Sequence, residues 1–149
     1  MMEFVHEITA YLENKPGRLA KICSALAHEK VDLRALSVMD ANGRSVLRFV
    51  TDQGDTTRKV LTSLGTEYSG SEVLAAEMEN RPGALARFLE RLAEEHINVE
   101  YAYSAASHTP GRSLGIFHTS NPKRAMQLLV DSAGTGSGNS PQRRPLHSR

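Results

Sequence analysis

Between residues 4 and 12 the chain reads FVHEITAYL, a partial alternation of apolar and polar positions rich in β-formers, which predicts a strand. The period then changes. From residue 19 the apolar positions fall at Leu19, Ile22, Cys23, Leu26 and Ala27, the i, i+3, i+4, i+7, i+8 spacing of a helix with one apolar stripe. Pro16 suits the first position of that helix, where its missing N–H is no loss. Residues 31–39 and 46–51 return to strand-like patterns around Asp40-Ala41-Asn42-Gly43, and Asn-Gly between two such runs signals a hairpin. A shorter helix follows, with Asp55 as its expected cap, Val60, Leu61 and Leu64 as its apolar face and Gly65 as its stop. Residues 66–78 supply a closing strand. The order β-α-β-β-α-β is that of a ferredoxin-like plait, an α+β fold with an antiparallel sheet and both helices on one face.

The pattern then starts again. ENKPGRLA at residues 13–20 returns as ENRPGALA at 79–86, an offset of 66 (79 − 13), and the second stripe is Leu85, Phe88, Leu89, Leu92 and Ala93. A stripe that keeps its spacing while its side chains change behaves as a core face. Further on, GRSVLRFVT at 43–51 faces GRSLGIFHT at 111–119, at an offset of 68 (111 − 43). The chain is therefore a tandem repeat of two plaits. Units this small bury only about 60% of their unfolded surface, so the two are expected to lean on each other. The second copy's last helix opens at Ser120-Asn121-Pro122 and points Ala125, Leu128 and Leu129 inward. Beyond Asp131 the sequence is Gly, Ser, Pro and Arg with almost nothing apolar. The expected division is a first domain over 1–70, a second over 71–131 that lacks its final strand, and a disordered basic tail over 132–149. The sheet edge left by the missing strand is expected to be open or covered by another chain.

Charge narrows the partners. Three of the 18 basic residues, Arg143, Arg144 and Arg149, lie in the tail, which leaves 15 basic against 17 acidic residues in the body. That balance gives no electrostatic reason to expect nucleic acid or an anionic membrane. The N-terminus carries Glu and His where a signal peptide needs an apolar core, no apolar run is long enough to span a bilayer, and the single Cys23 fits a reducing cytoplasm. Cys23 falls on the apolar stripe and is expected as a buried thiol. The six histidines (6, 28, 96, 108, 118, 147) have no metal-ligand spacing, so neither metal nor cofactor is expected; His118, on a predicted strand, is the one worth checking. Tyr101 and Tyr103 can line a pocket, although alternate strand residues more often pack. No carboxylate pair, no nucleophile with a base and no phosphate loop has a recognised spacing. An RNA module would need aromatic residues on its central strands, a copper carrier would need CxxC, and an acylphosphatase-like cradle has only Lys15 and Arg18 to offer. The chain reads as non-catalytic.

The repeated turn has binding chemistry. A strand ends, an Asn follows and a helix starts at Pro-Gly, so unpaired N–H groups and the positive end of a helix dipole face outward, which suits a carboxylate. Gly17 and Gly83 keep no side chain between a ligand and the backbone. Asn14 and Asn80 offer donors and an acceptor together, as a free α-amino acid requires.

The motif E-N-K/R-P-G-x-L-A, followed by an apolar helix and then Val31-Asp32-Leu33 or Ile97-Asn98-Val99, resembles the ACT domain, a small-molecule-sensing module of amino-acid biosynthetic enzymes. The resemblance covers residues 4 to about 130 in two copies, as in stand-alone tandem ACT proteins. It implies ligand-binding positions at Asn14, Pro16, Gly17, Leu19 and Asp32 in the first copy and at Asn80, Pro82, Gly83, Leu85 and Asn98 in the second. Serine sensors of the family carry a His two residues before the turn Asn. Leu12 and Met78 stand there, which speaks against serine and leaves room for a more apolar ligand. ACT ligands usually sit where two domains meet, and Asp32 against Asn98 makes any two sites unequal. The implied function is regulatory: an amino acid bound between two ACT domains, a possible homodimer, and an amino-acid metabolic enzyme as partner. The alternative is a detached docking subunit like that of acetolactate synthase.

Overall fold

The computed structural model describes residues 2–133. Its elements are β1 (Met2–Glu13), α1 (Arg18–His28), β2 (Leu33–Ala41), β3 (Arg44–Thr51), α2 (Gly54–Ser63), β4 (Glu67–Glu79), α3 (Ala84–Glu94), β5 (Val99–Ala106), β6 (Arg112–Thr119) and α4 (Pro122–Ala133). The β-α-β-β-α-β order is thus present. The β2–β3 turn has Asn42 at φ 53° and Gly43 at φ 82°, the paired left-handed residues that a two-residue hairpin needs.

Two local expectations are corrected. Asp55 does not cap α2: Gln53 holds the cap position, and Asp55 sits in the first turn, where its carboxylate pairs with Arg58 at 3.1 Å. Pro16 does not open α1 either. The helix begins at Arg18 with Gly17 as its cap at φ 86°, and α3 begins in the same way behind Gly83 at φ 87°. A residue with a Cβ is strained at such a φ, so each Pro-Gly pair marks a left-handed step immediately before a helix.

All strand pairings are antiparallel, in the order β2-β3-β1-β4-β6-β5. The units have the same internal register, since Ile8 faces Phe49 in the first and Leu74 faces Phe117 in the second. They are fused through a ladder from Met2↔Ala76 to Tyr11↔Glu67. Both of its strands serve two units. Residues 67–70 of β4 close the first plait against β1, while its residues 74–79 open the second against β6. In return, residues 2–5 of β1 lie along residues 76–73, in the place of the second plait's closing strand. The strand missing after α4 is therefore replaced from within the chain, and this position is neither an open edge nor one that another chain must cover. α4 itself runs to Ala133, and the remainder of the expected tail lies outside the described residues.

Each unit has its own core on the helix side. Ile8, Leu47 and Phe49 of the sheet meet Ile22 and Leu26 of α1 and Val60 and Leu61 of α2, with Tyr68 at the edge. Leu74 and Phe117 meet Leu92 of α3 and Ala125 and Leu129 of α4, with Met2 at the edge. Full burial of an aliphatic side chain of this kind stabilises by about 1.5–3 kcal/mol. A third cluster, Ala35, Val50, Val73, Ala75, Leu114 and Ile116, lies on the face away from the helices. There the sheet curls until its edge strands β2 and β5 come into contact, enclosing an inner face that belongs to both units.

Candidate functional site

The second repeated turn opens onto a pocket of about 450 Å³. Asn80, Arg81, Ala84 and Leu85 form one side of it, Met78 and Phe117 its apolar floor, and Ala102, Tyr103 and Ser104 of β5 with Ser113, Leu114 and Gly115 of β6 the opposite wall. Ala84 and Leu85 open α3; the Ala84 N–H donates to the Arg81 carbonyl at 3.3 Å, and the Leu85 N–H is among those that a helix leaves without an intrahelical partner. Equivalent positions in the first unit carry larger groups: Leu47 for Gly115, Leu36 for Ala102 and Arg18 for Ala84. Gly115 is decisive, because a Cβ there would come within 2.7 Å of Cζ of the Phe117 ring that leans across it. At the first turn Arg18 and Lys15 reach back to Glu13, at 3.3 and 3.1 Å. The hydrogen bond and charge of Lys15, with the charge of Arg18, hold the Glu13 carboxyl below the usual glutamate range.

The predicted ligand residues fall in different places. Asn80 and Leu85 line this pocket, and Pro82 and Gly83 form the turn above it. Asp32 lines a second pocket of about 530 Å³ between β2 and β5, with Arg34, Glu77, Ser107 and His108. Glu77 accepts a hydrogen bond there from Ser107 Oγ at 2.6 Å, and Arg34 is paired with Glu3 at 2.9 Å. Ser104 and Leu114 are common to both pockets, which stand back to back. Asn14 donates to Asp40 Oδ1 at 3.4 Å and belongs, with Pro16, Gly17 and Leu19, to the first turn. Asn98 lines neither pocket; its backbone N–H donates to Ser120 Oγ at 3.0 Å and its carbonyl accepts from Ser120 N–H at 2.9 Å.

A buried polar cluster on the inner face was not expected. The Glu7 side chain is fully buried and accepts from the Tyr101 hydroxyl at Oε1 and from the Tyr103 hydroxyl at Oε2, the latter at 2.7 Å. Arg48 lies over the Tyr101 ring at 4.1 Å, and His118 stacks on that ring at 4.7 Å. His118 Nδ1 is 2.6 Å from Glu100 Oε2, outside hydrogen-bond alignment. Burial first, then the hydrogen bonds to Glu7, push both tyrosine hydroxyls above the ordinary phenol range. The readable signal for this cluster is a mismatch between the copies, since Val73 stands where symmetry with Glu7 would place a carboxylate. Among the described residues no His, Cys, Asp and Glu side chains gather in a group that could hold a metal, and no helix is long and apolar enough to cross a membrane.

Two ferredoxin-like plaits fused through shared strands, with a pocket at a Pro-Gly turn, define a class of paired α+β modules. The family model of the ACT domain pair matches residues 3–134, and the chain belongs to that family. The crystal structure of protein BT0572 from Bacteroides thetaiotaomicron is similar, with TM-score 0.81 and 27% identity over 89% of this chain and 90% of that one. The ligand-free regulatory subunit of aspartate kinase from Thermus thermophilus shares the fold, with TM-score 0.67 and 16% identity over 88% and 94% of the two chains. So does a structure of aspartokinase alpha and beta subunits, with TM-score 0.60 and 21% identity over 89% and 97%. No curated protein matches the sequence.

Proposed function

We propose that this chain is a non-catalytic regulatory module that binds a free amino acid at the second Pro-Gly turn. The observation that carries the reading is the pocket of about 450 Å³ at the start of α3, apolar on its floor and polar at its rim. The α-carboxylate lies toward Ala84 and Leu85 at the head of the helix, where N–H groups and the helix dipole favour negative charge. Asn80 holds the α-amino and carboxylate groups together, beside the Glu79–Arg81 ion pair at the rim. Met78, Leu85, Leu114 and Phe117 receive the side chain, which favours a small apolar amino acid. Asp32, in the second pocket, favours an ammonium and repels a carboxylate, so the two pockets are not equivalent. The likeness to regulatory subunits of aspartate kinase supports an amino-acid biosynthetic enzyme as the regulated partner. Ligand acts by its different affinity for two arrangements of the module and its partner.

A second reading, a docking or dimerising subunit, draws on the exposed Leu36, Val38 and Met39 of edge strand β2, which are 41%, 45% and 51% accessible. A thermal-shift screen against the common amino acids separates the two. Saturating ligand at 100 times its Kd adds about 2.7 kcal/mol of stability, and a shift lost in Asn80→Ala establishes the sensor. No shift for any amino acid, with ligand-independent association, favours docking through β2.

A further inference from the structure

We propose that Glu7 is a positioning residue for the second-unit pocket, holding the wall strand β5 in place from across the inner face of the sheet; the link to binding rests on the pocket reading above. β5 is an edge strand, paired along its length only with β6. It contributes Ala102, Tyr103 and Ser104 to the pocket, so any drift of this strand changes the pocket's width. Glu7 lies on β1, with β4 and β6 between it and β5. In a flat sheet three strand spacings amount to roughly 14 Å, well beyond the reach of a tyrosine side chain. The Tyr103 hydroxyl nevertheless lies 2.7 Å from Glu7 Oε2, and the Tyr101 hydroxyl bonds the other oxygen. These bonds exist only in the curled sheet, and they oppose its uncurling. A fully buried carboxyl that lost both donors would keep its desolvation penalty with less to offset it, so the two tyrosines are held firmly.

The repeat supplies an internal control. The positions equivalent to Glu7, Tyr101 and Tyr103 are Val73, Ala35 and Ser37, which cannot form a matching tether for β2, and at the first turn the larger Leu36 and Leu47 take the place of Ala102 and Gly115. The tether thus holds the one of the two equivalent strands that carries the small Ala102 in its pocket wall.

The test uses the full chain with Tyr101→Phe and Glu7→Gln, neither of which touches the pocket, and Leu47→Ala as a control that destabilises the other core. Amide hydrogen exchange is read at Tyr103 and Ala105, whose N–H groups face β6, against Ala10 and Leu47, or Ala10 and Phe49 in the control. The twenty common amino acids are titrated in parallel. Tyr101→Phe is expected to speed exchange at Tyr103 and Ala105 at least tenfold more than at the reference sites and to weaken binding several-fold. Glu7→Gln, which keeps one oxygen acceptor, falls between it and the wild type, and Leu47→Ala shows no selectivity for β5. Exchange that rises evenly over the sheet overturns the proposal, as does a selectively loosened β5 with unchanged affinity. If the wild type binds none of the amino acids, the pocket reading fails on its own and the exchange pattern alone decides whether Glu7 holds β5.

Discussion

On the helix side the two units are close copies, while on the inner face they are opposites. Ile8 and Phe49 become Leu74 and Phe117 in the same register, each pair packed under its own two helices. Across the sheet, Glu7, Arg48, Tyr101 and His118 of the polar half correspond to Val73, Ile116, Ala35 and Val50 of the apolar half. A helix-side position answers to a core within its own unit, so most such positions keep one solution in both copies, and Leu47 against Gly115 is the exception that opens the second pocket. An inner-face position answers to a space that both units share, and the constraint falls on the pair. One half was free to become an oily contact and the other a hydrogen-bonded one.

The largest effect is expected from forcing the halves to match. Val73→Glu buries a carboxyl among Ala35, Val50 and Ile116, which offer it no donor, and should cost at least about 3 kcal/mol in a urea melt. The reverse change, Glu7→Val, leaves two tyrosine hydroxyls that are only partly buried, and a loss of about 2 kcal/mol is expected. Should the two changes cost the same, the polar half is not specifically built. Gly115→Leu copies Leu47 into the pocket wall and drives against the Phe117 ring. It should lower stability by about 1–3 kcal/mol and abolish the ligand-induced thermal shift.

A smaller asymmetry lies beneath the second helices. Thr51 Oγ1 is 2.9 Å from Thr57 Oγ1, whereas in the second unit Ala125 takes the place of Thr57 and the buried Thr119 hydroxyl has no partner among the described residues. Thr51→Val should therefore cost about 1 kcal/mol and Thr119→Val nothing, or bring a slight gain. The smallest effect is spectroscopic. Tyr101 and Tyr103 have folded pKa values raised above the ordinary phenol value of 10.0, so the stability they contribute is complete below pH 10 and declines as pH rises from there toward their folded values. An ultraviolet titration of the folded protein should show two phenols still protonated well above pH 10, and Glu7→Val should bring them back toward that value.

The repeat, the element order and both helix stripes were legible because each rests on a short-range rule: a period, a turn residue, a spacing. Gly65 stopped α2 as its position implied, but Asp55 missed the cap by two residues, since a cap depends on where the first hydrogen bond closes. The shared strands were beyond local rules. Residues 66–78 read as a closing strand running into an opening one, yet nothing near Met2 announces that residues 2–5 serve the far unit. Asn80 and Leu85 drew attention through their duplicated turn, while Gly115 and Glu7 gained meaning only beside Leu47 and Val73. Of the tyrosines, the spacing alone favoured packing, and the structure gives Tyr103 a place both in the pocket wall and in the bond to Glu7.

The divided use of β1 also fixes an order of events during synthesis. The strand that residues 2–5 must join, residues 73–76, leaves the ribosome some seventy residues after them, and α4, which packs against both strands, later still. The first plait in turn waits for residues 67–70 to close it. Neither half can finish as an autonomous intermediate, so long-range pairing limits the rate of folding and denaturation should proceed in a single cooperative step. Duplication here yielded two copies that share strands, so a fragment holding either copy alone should fail to show a cooperative melt.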